Sequence, residues 1–148
     1  MELQKSHIKY IEWHSPAALH EETHTAISEV KFLKVELNFL LQLMENYTSD
    51  FLKHDLFAKA KNIAERLSES LNEIPKVTSA LKEHANSLYE LLDEKEVPDE
   101  KKAYKDEHVA ILGSVLQLHA EVKKTKKALF DILKNVMRDD AQAHLLKP

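Results

Sequence analysis

Leu56–Leu92, LFAKAKNIAERLSESLNEIPKVTSALKEHANSLYELL, keeps its apolar residues in one heptad register from end to end. With Ala60, Leu67, Ile74, Leu81 and Leu88 at a, the d positions are Ile63, Ser70, Val77, His84 and Leu91, and Ala64, Leu71, Ala85 and Leu92 fall at e. A stripe recurring every three and four residues over such a length is one face of one long helix, because strand side chains alternate instead. Pro75 interrupts the stretch without changing its phase, and neither a glycine nor a good cap precedes it. The reading is a kink at Pro75; a reversal there would make four shorter helices.

Upstream, Ser15 followed by Pro16 is a helix start, with the hydroxyl capping free N–H groups and proline placed where its missing donor costs nothing. The first helix is expected from about Pro16 to about Tyr47, with Ala26, Val30, Leu33, Leu37, Leu40 and Met44 on its inner stripe, widened by Ile27 and Leu41. A second stripe, Phe32, Val35, Phe39 and Leu43, follows helical spacing on the other side. Such aromatics face water in a monomeric bundle, so a homodimer through this helix is expected, the alternative being cover by the N-terminal arm. The polar cluster Asn46, Thr48, Ser49 and Asp50 marks the first turn, with Asp50 or Asp55 capping the second helix.

Downstream, Asp93–Asp99 with Pro98 marks the second turn. The third helix should run from about Asp99 to about Arg138, with Tyr104, His108, Ile111, Leu112, Val115, Leu118, Val122, Leu129, Ile132 and Val136 in register. Gly113 reads as a neutral position on its outer face. The expectation is therefore an all-α fold: one domain over 1–148, a long antiparallel bundle of three helices completed to a larger bundle by dimerisation. Residues 1–14 form an arm or short helix, and 139–148 a tail that continues the helix or frays.

Composition agrees. One glycine, four prolines, 43% hydrophobic and 31% charged residues describe a globular helical chain. The net charge of -4 gives no general attraction to nucleic acid, and Lys123, Lys124, Lys126 and Lys127, followed by Asp131, read as a solvated face. The absence of cysteine excludes disulfides, thiolate metal sites and iron–sulfur clusters. No signal-peptide pattern and no window of roughly 20 apolar residues is visible, so the expectation is no membrane partner and a cytoplasmic location.

The functional lead is where the nine histidines fall. Counting residues from each turn of an up, down, up bundle places His84 beside His108 and His20 near their level, with His24 one turn from His20. Three or four imidazoles converging in this way suit a transition metal such as Zn, Fe, Mn or Cu. The expected site is His20, His24, His84 and His108, with Glu22, Glu29, Glu107 and His119 as further ligands or orienting groups. His7, His14, His54 and His144 read as surface residues. The competing reading is a non-enzymatic dimeric interaction or scaffold protein, whose histidines form a hydrogen-bonded polar layer without metal.

His20-Glu21-Glu22-Thr23-His24 also matches the H-E-x-x-H pattern of zinc hydrolases, the remote third reading; Glu21 points away from the core if His20 points in. Histidine and carboxylate sites inside an antiparallel bundle are broadly similar to those of hemerythrin-like and ferritin-like proteins, whose members bind oxygen or handle iron with paired metals. The sequence carries no pair of Glu-x-x-His motifs and no His-x-x-x-Glu with His-x-x-x-x-Asp set, so no residue is transferred from them.

Overall fold

Ser15 starts the first helix in the way its position before Pro16 dictates. Its Oγ accepts from the Ala18 N–H at 3.3 Å, and its carbonyl accepts the first helical bond from Leu19 N at 3.1 Å. The computed structural model describes the backbone of residues 15–93 and 98–146 and the side chains of 15–88, 101–142 and 145. The expected arm at 1–14 and the centre of the second turn lie outside the described residues. Within them the chain is almost entirely helical, with no strand. Its helices are α1 (Pro16–Asn46), α2 (Thr48–Lys53), α3 (Phe57–Asp93) and α4 (Pro98–Leu146).

The helix absent from the sequence reading is α2, six residues long, where only a turn was expected. Neither Asp50 nor Asp55 caps α3. Asp50 lies in the first turn of α2, and Asp55 adopts a left-handed backbone with φ of 58°. Around Asp55 the bonds form a helix-ending pair: Leu56 N donates to Phe51 O at 2.8 Å and Asp55 N to Leu52 O at 3.4 Å. A glycine usually takes this position, but aspartate tolerates it better than most side chains. Phe51, two residues before the end of α2, is buried, and this ties the short helix to the core.

Helix α3 continues through Pro75 without a break. Proline deletes the N–H that would bond the Leu71 carbonyl, yet Pro75 itself is exposed, where water can satisfy the freed group. The heptad reading holds here: Ala60, Leu67, Ile74, Leu81 and Leu88, all at a, are buried, as are Ile63, Ser70 and His84 at d. Helix α4 continues to Leu146, so the residues after Arg138 extend it. Gly113 is buried, not on the outer face.

By their contacts the residues group into two compact units, one of Met1–Leu33 with Glu73–Leu118 and one of Lys34–Asn72 with His119–Pro148. The first buries Leu19, Val30, Leu81, Leu88, Tyr104 and Val115 together with Thr23, His84 and His108. The second buries Leu37, Leu40, Phe51, Leu67, Leu129 and Val136, and its buried polar residues are Ser70 and Thr125. No helix among the described residues is long and apolar enough to cross a membrane.

Candidate functional site

Residues four apart on a helix share a face, so Leu19 and Thr23 of α1 turn inward together, as do Tyr104 and His108 of α4. His84 comes to the same place from a d position of α3 and is fully buried, like Thr23 and His108. His84 Nε2 lies 2.8 Å from His108 Nδ1, and His108 Nε2 lies 2.9 Å from Glu22 Oε2. A chain of polar groups thus crosses the first unit from Glu22 on α1 through His108 on α4 to His84 on α3.

The direction of this chain follows from the acceptors. A carboxylate can only accept, so the His108 Nε2–H donates to Glu22. In the neutral form of His108 the other nitrogen, Nδ1, is an acceptor, and the His84 Nε2–H at 2.8 Å is the donor that matches it. His84 Nδ1 is left bare. It has no partner within hydrogen-bond distance among the described residues, and Glu107 Oε1 stands 3.6 Å away. Thr23 Oγ1 lies 3.5 Å from His108 Nδ1 but donates its proton to the Leu19 carbonyl at 2.9 Å, within its own helix.

Burial pushes the pKa of His84 below the ordinary histidine value, and the positive charge His108 would carry adds to this; Glu107 opposes it. Tyr104 stacks on His84, with ring centres 4.1 Å apart and planes inclined by 12°. Its hydroxyl is buried without a well-formed hydrogen bond. Burial, followed by the negative charge of Glu107, pushes the phenol up to about 12, with Thr23 pulling the other way. Burial thus disfavours the charged forms of both His84 and Tyr104.

The expected ligands therefore fall into separate groups. His84, His108 and Glu22 are hydrogen-bonded in series, with Glu107 beside His84. His20, half-buried, and His24, exposed, pair with each other on α1, ring centres 4.3 Å apart and planes at 75°. Glu29 is exposed on α1, and His119 is half-buried on α4. A metal bonded to two imidazoles at about 2.0–2.1 Å holds their nitrogens roughly 3.3 Å apart with both lone pairs aimed at it. His84 Nε2 and His108 Nδ1, 2.8 Å apart, are closer than that and are spaced as a hydrogen bond. Among the described residues no group of three or more histidine and acidic side chains is arranged to hold a metal ion.

Thr23 and Tyr104 are the members of the layer that sequence reasoning left out. Their spacing carried the signal, since Tyr104 precedes His108 by one turn and Thr23 follows Leu19 by one turn. His54, expected at the surface, is instead largely covered. It is held between Asp140, with Nε2 3.1 Å from Oδ1, and Asp139, with Nδ1 3.6 Å from Oδ2. The second unit carries two shallow grooves. One, of about 480 Å³, includes Ile63, Arg66 and Ile132; the other, of about 320 Å³, includes Met44, Phe51 and Phe57; neither is lined by a histidine.

The aromatic stripe of α1 stays outside. Phe32 is 69% exposed, Val35 66% and Phe39 63%, with Leu43 half-buried. Fold and site together define an all-α helical protein with a buried histidine layer and an uncovered apolar helix face. Comparison with protein-family models, with curated proteins and with solved structures finds no match.

Proposed function

We propose that this chain is a non-enzymatic helical interaction protein, its three long helices antiparallel, which self-associates through the outer stripe of α1. The observation that carries the reading is the exposure of Phe32, Val35 and Phe39 on successive turns of one continuous helix. Burying one such side chain fully is worth about 1.5–3 kcal/mol, so a face that offers three of them to water gains from a partner.

A second copy fits the stripe. Phe32 and Phe39 are equally spaced about the middle of the apolar segment, next to Val35, so a twofold axis there sets Phe32 against the partner's Phe39 and the reverse. Polar residues end the patch on both sides, Thr25 and Ser28 before it and Gln42 and Asn46 after it. The bordering charges balance, Lys31 and Lys34 against Glu29 and Glu36, and Glu36 already accepts from Lys126 Nζ at 3.3 Å. Nothing on this face selects a strongly charged partner. The histidine layer is structural in this reading, since its imidazole nitrogens bond one another and Glu22.

Sedimentation equilibrium tests the proposal. The wild-type chain is expected as a dimer at micromolar concentration, and Phe32→Glu with Phe39→Glu as a monomer of unchanged helix content. A wild-type monomer, or a dimer that survives both substitutions, overturns it. If removal of residues 1–14 is needed before the chain dimerises, the arm is the native cover.

A further inference from the structure

His20 and His24 take no part in the buried layer, and the self-association proposed for α1 does not use them. They stand one turn apart, the i and i+4 spacing that brings two helical side chains onto one flank. Each follows an inward-facing residue, Leu19 or Thr23, by one position, and so lies outside the core while its neighbour is inside it. His24 is exposed and His20 half-buried, so the pair lies at the edge of the core and not within it. Their ring centres are 4.3 Å apart with planes at 75°.

That spacing has a chemical meaning. Two imidazoles bonded to one first-row metal ion at about 2.0–2.1 Å, with an angle at the metal between square and tetrahedral, have ring centres roughly 4.5–5 Å apart. The observed separation of 4.3 Å falls just short of this range, and the edge-on rings must turn about their side-chain bonds to aim a nitrogen each at one ion. Helix α1 is continuous on both sides of it, from Pro16 to Asn46, so the two side chains start from a fixed geometry. Glu21 is exposed and one turn before His24, where its negative charge favours a cation nearby. Glu22, the other carboxylate of the segment, is turned to His108 at 2.9 Å.

We infer that His20 and His24 form a two-imidazole chelate on the surface of α1 for a divalent first-row metal ion, with solvent or an outside ligand at the remaining positions. The donor set is neutral nitrogen, which ranks Cu2+ above Zn2+. With two imidazole ligands from the described residues, the site clamps one turn of α1. It involves two of the four histidines that residue counting had gathered into one cluster, and leaves His84 and His108 to the interior.

Titration of tag-free protein with Cu2+ and with Zn2+ tests this by calorimetry, alongside His20→Ala, His24→Ala and a variant with His7, His14 and His54 all replaced by Ala. One ion per wild-type chain is expected, Cu2+ tighter than Zn2+. Either single substitution should weaken binding at least tenfold, while the triple variant should bind as wild type does. Added Zn2+ should also raise the melting temperature of the wild type and leave that of His24→Ala unchanged. His24 is exposed, so its variant is expected to keep its far-ultraviolet circular dichroism. No binding to the wild type, undiminished binding to both single variants, or loss of binding in the triple variant overturns the assignment.

Discussion

The two units of this chain draw on the same long helices but fill their interiors differently. In Lys34–Asn72 with His119–Pro148 the core is aliphatic with Phe51, and a buried hydroxyl such as Thr125 is satisfied within its own helix, donating to the Glu121 carbonyl at 2.9 Å. In Met1–Leu33 with Glu73–Leu118, two imidazoles and a carboxylate from three different helices depend on one another. Apolar filling stabilises without choosing partners, whereas a buried polar chain is satisfied in only one register. The difference teaches that both units are held by apolar packing, and that the first adds a polar chain that fixes how its helices meet.

The sharpest way to break the contrast is to delete packing in the second unit. Leu67 is fully buried there, and Leu67→Ala should lower unfolding free energy by about 2–5 kcal/mol in urea denaturation. In the first unit the corresponding change is His108→Leu, which keeps volume and leaves the His84 Nε2–H and the Glu22 carboxylate without their partner. Its expected cost is smaller, about 1–3 kcal/mol by the same measurement. Replacing His84 and His108 together by Leu should then cost less than His108→Leu alone, because the double change removes the orphaned His84 donor. A double variant worse than the single one would mean that the imidazoles act mainly by filling space.

Much of this could be read from residue spacing. Periodicity named the inward face of every long helix, the pair Ser15 and Pro16 named the start of α1, and counting from the turns brought His84 opposite His108. What periodicity cannot give is which atom bonds which. It placed His20 and His24 at the level of the buried pair but could not see that they sit one flank outward and meet each other. Helix α2 was hidden because its stop is Asp55, a residue whose left-handed conformation leaves no glycine to read. Gly113 was misread because a glycine adds no hydrophobic mark to a helix face, and its burial becomes visible only when the neighbouring helices are in place.

Protonation of the histidine layer couples its geometry to stability. The folded protein holds His84 below its ordinary value of 6.5, chiefly by burial, so the unfolded chain binds a proton that the folded one refuses. Stability from this source is full above the unfolded value and falls as pH drops through it towards the lower folded value, by at most about 1.4 kcal/mol per pH unit. The deciding measurement is a pH titration of the imidazole nitrogens by NMR. At neutral pH, His84 and His108 should both carry their proton on Nε2, and His84 should titrate below 6.5. A His84 that titrates at or above 6.5, or carries its proton on Nδ1 at neutral pH, would contradict a chain in which His84 donates to His108 and His108 to Glu22.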